Sequence, residues 1–188
     1  SSPDSWLSAI GRSSAVLVYS DEGVWDDGFE HIKLFLGQHG YGYSTVNAKG
    51  ILAGRLQAKG VKLLIVHGGE SWKYLASLGK KGEAEIKKFV SSGGSYIGIC
   101  AGAFYATSDR MGGYATGPYG IGLLSGEAYD GAALKTAPFK DGMLPFHVFL
   151  DGLKELYQIV LFGGPSFRYS EKEAVEKLKE FQKTRLGI

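Results

Sequence analysis

Four short apolar runs, each followed by a stretch with helical spacing, predict an α/β fold: a three-layer sandwich with a mostly parallel sheet and helices on both faces. Two further observations point the same way. The first run, residues 15–20, is continuous rather than alternating, the texture of a strand buried on both faces. Glycine is abundant, 29 of 188 residues, and gathers where the runs end, at the tight turns such a topology needs.

Taken in order, residues 1–13 are small and polar and read as a loosely held lead-in to a single domain spanning 1–188. Residues 15–20 form the first buried strand, with a turn at Ser20, Asp21, Glu22 and Gly23. From 26 to 38 the apolar residues Phe29, Ile32, Leu34, Phe35 and Leu36 cluster at helical spacing, and Gly37 and Gly40 bracket the end. Residues 41–46 suit a second strand and 51–58 a short helix that stops at Gly60. Residues 61–66 are a third strand, with His67, Gly68, Gly69 and Glu70 in the loop at its carboxyl end. A short helical piece at 72–78 precedes a stronger amphipathic helix at 83–90, with Ile86, Phe89 and Val90 on one face. A fourth strand follows Gly94.

After Asp109 the texture changes. Residues 111–149 are rich in glycine and aromatic residues, with Pro118, Pro138 and Pro145, and read as a β-rich insertion of short antiparallel strands around 121–124 and 144–149. Residues 158–162 return to a buried strand, and 163–166 turn out of it. Residues 171–183 read as a helix: Ser170 is a plausible N-cap, acids come early and lysines late.

Composition narrows the function. The net charge is +2 and the basic residues are scattered, so nucleic acid has no electrostatic footprint to bind. No apolar run reaches the roughly 20 residues of a membrane span. The opening residues are no signal peptide, so the expected compartment is the cytoplasm, although a leader already removed would leave no trace. A single cysteine, Cys100, excludes an internal disulfide and a cysteine-rich zinc site. No carboxylate or histidine cluster stands at ligand spacing, and the glycine-rich segments fit neither a P-loop nor a dinucleotide fingerprint. No cofactor is expected. The partner expected is a small-molecule substrate or ligand, and self-association into a homo-oligomer stays open.

Cys100 carries the chemistry. The apolar run at 96–99 leads into it, and Ala101, Gly102 and Ala103 follow at once. Gly98 and Gly102 flank it two residues away on each side. This is the cysteine counterpart of a nucleophile elbow, where a strand turns sharply into a helix and small neighbours let the turn close. A helix starting at a thiol also favours the thiolate. A lone cysteine is otherwise most often a small buried hydrophobe. The glycine spacing, the strand-to-helix context and the Gly68-Gly69 pair after an earlier strand favour the elbow.

These residues resemble the class I glutamine amidotransferase-like superfamily and its flavodoxin-like fold. Within it the chain is most similar to the family named after the N-terminal domain of biotin–protein ligases. The turn Tyr19-Ser20, the pair Gly68-Gly69, the elbow from Gly98 to Tyr105 and the segment from Phe162 to Phe167 carry the resemblance. It covers roughly residues 15–170. The 188 residues leave no room for a ligase domain, so biotinylation is not an expectation.

The resemblance implies a cysteine-dependent amidase or hydrolase with Cys100 as nucleophile. The N–H groups of Gly69 and Ala101 would form an oxyanion hole, with Gly68, Gly102 and Glu70 beside it. It also implies a late histidine and glutamate to activate the thiol, and this chain departs there, because residues 162–171 hold no histidine. His31 and His39 belong to the first helix and its end, and His147 sits among aromatic residues. His67, directly before the glycine pair, is the candidate base. Glu22, or Asp21 beside it, is a second candidate partner for the thiol.

Three functions therefore compete. One is hydrolysis or acyl transfer through a Cys100 thioester on a small amide or acyl compound. Another is a non-catalytic small-molecule binding or regulatory domain that keeps the elbow as architecture. The third is a redox or carbonyl-stress protein of the DJ-1 type, using a reactive thiol.

Overall fold

The computed structural model describes residues 15–111, 120–130, 143–149, 156–162 and 165–168. The predicted lead-in and the helix expected at 171–183 lie outside them.

A four-stranded parallel sheet forms the frame. Strands β1 (Val16–Tyr19), β2 (Tyr43–Val46), β3 (Leu63–Val66) and β4 (Ser95–Gly98) lie in the order β2-β1-β3-β4. Their registers are regular: Val16 pairs with Tyr43 on one side and Leu63 on the other, and Leu63 pairs with Ser95.

β1 is buried throughout, and its side chains divide by parity. Leu17 and Tyr19 enter one core cluster with Leu64, Val66, Tyr74 and Ile86, while Val16 and Val18 enter another with Ile65 and Leu36. A strand buried on both faces needs apolar residues at odd and even positions alike, which explains the unbroken run.

Helix α1 (Asp26–Gln38) covers the face of Val16, Val18 and Ile65, with Leu36 buried and Phe29 and Ile32 packed beside it. Helix α2 (Ala48–Leu52), helix α3 (Ser71–Ser91) and helix α4 (Ala101–Ala106) contribute to the other core. The expected three layers are present.

Several boundaries differ from the sequence expectation for local reasons. α2 begins at Ala48, earlier than hydrophobic spacing predicts, because the Asn47 side chain accepts the Gly50 N–H at 2.9 Å and caps it. Gly54 then takes a left-handed φ of 85°, and a 3₁₀ turn at Arg55–Gln57 completes the segment. The two helical pieces expected at 72–78 and 83–90 form α3, which is broken at Gly79 (φ 53°, ψ −169°).

Beyond α4, β5 (Thr107–Met111), β6 (Leu124–Asp130) and β9 (Pro165–Arg168) make a sheet in the order β5-β6-β9, while β7 (Met143–Phe149) and β8 (Leu156–Phe162) pair antiparallel. The insertion is β-rich as expected. The β5–β6 pairing, however, is parallel, and Pro165 and Ser166, expected to belong to a turn, open the strand Pro165–Arg168. Pro165 is tolerated there because it opens a strand at the sheet edge, where a missing donor breaks no ladder. No described helix is long and apolar enough to cross a membrane.

Candidate active site

The strand order places a change of direction between β1 and β3. In open α/β sheets the crevice at the carboxyl ends of such strands is where ligands bind. β1 leads into α1 on one face and β3 leads into α3 on the other, so their exit loops separate above the sheet edge. They are tied before they part. The Trp25 N–H donates to the Gly68 carbonyl at 3.0 Å, the Glu70 N–H donates to the Gly23 carbonyl at 2.8 Å, and Val24 and Gly69 form an isolated antiparallel bridge. Gly69 occupies the position of that bridge whose own N–H is not used by it.

Only glycine fits at Gly69. Its φ is 148°, and a Cβ there would lie 2.0 Å from the Gly23 oxygen and 2.6 Å from the Tyr74 hydroxyl. Tyr74, fully buried in the first turn of α3, reaches up to this loop. Its hydroxyl hydrogen is shared between the carbonyls of His67 (3.1 Å) and Gly68 (3.0 Å).

Cys100 stands at the next strand end, between β4 and α4. Its backbone has φ 52° and ψ −110°, and it is the one non-glycine residue with positive φ among those described. That conformation costs on the order of 1–3 kcal/mol. The Ile99 N–H still extends the ladder to the Val66 carbonyl at 3.0 Å, and one residue later the chain turns into α4. The Cys100 carbonyl then accepts the N–H groups of Ala103 and Phe104, both at 3.0 Å. Ala101 opens the helix, so its N–H has no partner within it.

The flanking glycines are needed for close approach. A Cβ on Gly102 would lie 1.8 Å from the Val66 oxygen, and one on Gly98 would lie 2.6 Å from the Gly102 oxygen. The Gly102 carbonyl is further held by the Tyr96 hydroxyl at 2.7 Å. Across the gap, the space a Gly68 side chain would occupy is 3.5 Å from Cys100 Cβ and 3.9 Å from Sγ. The glycine loop of β3 and the thiol of β4 therefore stand side by side. Cys100 is half-buried.

The remaining candidates separate into those near this pair and those turned away. His67 is 1% exposed, and its ring stacks on Phe29 of α1 with centroids 5.3 Å apart. Neither of its ring nitrogens has a hydrogen-bond partner among the described residues. Burial lowers its pKa and so keeps the ring neutral. No hydrogen bond joins it to Cys100 among the described contacts.

Glu22 is exposed, and its carboxylate is 3.7 Å from Lys73, which is held more closely by Glu70 at 2.7 Å. The Glu70 hydrogen bond, then the charges of Glu70 and Glu22, raise the Lys73 pKa. Asp21 is committed to structure: one oxygen accepts the Glu22 N–H at 2.8 Å and the other the Ala48 N–H at 2.7 Å, fixing β1's turn to the start of α2. His31 and His39 are exposed, the first bonded to the Asp27 carbonyl at 2.7 Å. The backbone of His147 lies in β7, opposite Gln158.

Two residues that the sequence did not single out complete the site. Tyr74 is one. Trp25 is the other: half its surface is exposed, and its ring lies 3.7 Å from the position a Gly68 Cβ would take, a position itself 3.9 Å from the thiol sulfur. Tyr74 could have been placed in the core from its spacing with Leu78, Gly82 and Ile86, but not its hydroxyl's targets. Among the described residues no three His, Cys, Asp or Glu side chains gather to hold a metal ion.

Comparison with known proteins agrees with this architecture. A family model described as "Biotin-protein ligase, N terminal" matches residues 14–113, from β1 through Cys100 and α4 to β5. An uncharacterised protein of Chlamydia muridarum (strain MoPn / Nigg) is 34% identical over 94 residues, which are 48% of this chain and 36% of that protein. The match thus spans about a third of the length of that curated relative. A crystal structure of a glutamine amidotransferase superposes with a TM-score of 0.64 at 24% identity, covering 83% of this chain and 75% of its own. That likeness establishes the class I glutamine amidotransferase-like, flavodoxin-like fold.

Proposed function

We propose that this chain, which belongs to the biotin–protein ligase N-terminal family, uses Cys100 as the nucleophile of acyl transfer on a small amide or related acyl compound. The observation that carries this reading is the backbone of Cys100. A non-glycine residue is held at φ 52° at a strand-to-helix turn, with its sulfur beside a glycine loop. Strain kept at a residue of this chemistry is the pattern of a nucleophile elbow.

In the reaction the Cys100 thiolate attacks the acyl carbon, and the carbonyl oxygen takes up negative charge. Gly69 N–H, left unused by the bridge, and Ala101 N–H, left unused by the helix, are the donors suited to that oxygen. The carbon–nitrogen bond then breaks, the amine leaves with a proton, and a thioester remains. Water hydrolyses the thioester and restores the thiol. Trp25 walls one side of the crevice, and Lys73, between Glu22 and Glu70, marks its polar rim.

The activating base is assigned to no single residue, because neither His67, Glu22 nor Glu70 hydrogen-bonds the thiol among the described contacts. That observation favours a second reading, a binding or regulatory domain in which the elbow is architecture. One experiment separates them. The purified protein is incubated with p-nitrophenyl acetate and with a panel of small amides, and acylation of Cys100 and release of product are followed, alongside Cys100→Ala. Acylation and turnover that vanish in the variant support catalysis. Saturable ligand binding without turnover, unchanged in Cys100→Ala, supports the binding reading.

A further inference from the structure

Beneath the glycine loop lies a hydroxyl that the proposed chemistry has not used. Tyr74 is fully buried, and its ring is fixed edge-on against Tyr19 (5.4 Å, 75°) and Tyr105 (6.3 Å, 89°). From that anchored ring the hydroxyl bonds two successive carbonyls, those of His67 and Gly68. It would also stand 2.6 Å from a Cβ at Gly69. Two peptide planes immediately before Gly69 are thus held from below by one atom of a rigid side chain, while the bridge to Val24 holds the same loop from the side.

The plane that carries the Gly69 N–H is the one that carries the Gly68 carbonyl. Orienting that carbonyl therefore orients the N–H, since the two groups share one planar unit and point in opposite directions. The Gly68 carbonyl accepts from both Trp25 N–H and Tyr74 hydroxyl, so the rotation of this peptide is determined twice. Without such restraint a peptide before a glycine at φ 148° turns easily. Charge on Cys100 raises the Tyr74 pKa in addition to the larger effect of burial, which agrees with the hydroxyl lying near the thiol and staying protonated as a donor.

From this arrangement we infer that Tyr74 is a positioning residue for acyl transfer: its hydroxyl, bonded to the carbonyls of His67 and Gly68, locks the peptide whose Gly69 N–H receives the developing oxyanion. The inference rests on the acyl-transfer reading of Cys100. It assigns Tyr74 no contact with substrate and no proton transfer.

The test compares two reactions of the same thiol in Tyr74→Phe. The substitution keeps the ring and its packing and removes only the hydroxyl. Alkylation of Cys100 by iodoacetamide displaces iodide at a saturated carbon and creates no oxyanion. Acylation by p-nitrophenyl acetate forms the sulfur–acyl bond, breaks the ester carbon–oxygen bond and releases p-nitrophenolate, passing through an oxyanion. Rates are normalised to the folded fraction of each preparation, measured by thermal denaturation, so that partly unfolded protein does not distort them.

The expected result is acylation slowed roughly 10-fold or more, below the 10²–10³ typical of losing an oxyanion donor outright, with alkylation within about 2-fold of wild type. Equal rates in both reactions overturn the inference, as does a proportional fall in both, which would mark a general structural effect. A wild-type protein that p-nitrophenyl acetate does not acylate at Cys100 overturns the acyl-transfer reading itself, and the role of Tyr74 with it. Gly69→Ala gives a second check. Its Cβ would collide with the Gly23 oxygen and the Tyr74 hydroxyl, so it is expected to show the same selective loss of acylation; selective loss of alkylation instead would refute the assignment.

Discussion

Alanine in place of glycine at two helical positions should move stability in opposite directions, and the structure supplies both signs. Gly37 lies near the end of α1 with nothing within 4 Å of the place an added methyl would take, whereas the corresponding place at Gly102 is 1.8 Å from the Val66 carbonyl oxygen. Helix propensity alone favours alanine by roughly 0.5–1 kcal/mol at either position. At Gly37 nothing opposes that gain. At Gly102 a carbon–oxygen contact needs about 3.3 Å, so α4 must retreat from β3 by about 1.5 Å. That movement disturbs the packing of Ala101, Phe104 and Tyr105, all buried. Overpacking of this kind costs about 1–3 kcal/mol, and weakening the Tyr96–Gly102 hydrogen bond adds about 0.5–1.5. The net expectation is a loss of about 1–3 kcal/mol for Gly102→Ala. In a domain of this size that lowers Tm by roughly 3–10 °C, while Gly37→Ala raises it by roughly 1–4 °C. Thermal and urea denaturation of the two variants measure this directly. A Gly102→Ala protein as stable as Gly37→Ala would refute the close approach of α4 to β3, and with it the geometry assigned to the elbow.

Two other perturbations test the site from different sides. Cys100→Gly should raise stability by about 1 kcal/mol, because glycine occupies positive φ without the penalty carried by cysteine, whereas Cys100→Ala should give no such gain; equal melting points for the two would deny the strain. His67 gives a pH dependence whose sign follows from its burial. Its folded pKa lies below the unfolded value of 6.5, so above about 6.5 its contribution is fully present, and it is lost as pH falls from there through the depressed folded value, where the unfolded chain binds the extra proton. The slope cannot exceed about 1.4 kcal/mol per pH unit from one group. Urea denaturation from pH 7.5 to 5 should therefore show a slope that flattens in His67→Phe; an unchanged slope would place the titrating group elsewhere.

The parallel sheet is legible in the sequence because its signal is local. Each of β1 to β4 is a short run, and the order of elements alone implies crossover connections. Boundaries shift where a side-chain cap or a glycine outweighs hydrophobic pattern, as with Asn47 at the start of α2 and Gly79 within α3. Pro165 reads as a turn signal because proline usually is one; the exception depends on which strand is at an edge, a fact about pairing that residues 163–166 do not contain. The tight strand-to-helix turn at Cys100 is legible for a physical reason. Gly98 and Gly102 are demanded by atoms that include one another and the β3 backbone, so the spacing around Cys100 records a tight turn even before the partner strand is known.

The partners of that cysteine are harder to read, and parity explains why. His67 adjoins the glycine loop in sequence, yet it follows Ile65 at a spacing of two, and Ile65 faces α1. Alternation along β3 therefore carries the imidazole onto Phe29, away from the face where Tyr74 rises to meet the loop. Proximity in sequence favours the histidine; the period of the strand favours the tyrosine. The strain at Cys100 then bears on function more strongly than either. A glycine at that position would relieve about 1–3 kcal/mol and continue a run already rich in glycine, yet the chain places its only cysteine there. The thiol is half-buried rather than enclosed in a core, so packing of a small hydrophobe is a poor account of why the strain is kept. The proposed role, a nucleophile at the mouth of the β1–β3 crevice beside a peptide fixed by Tyr74, supplies a reason that packing does not.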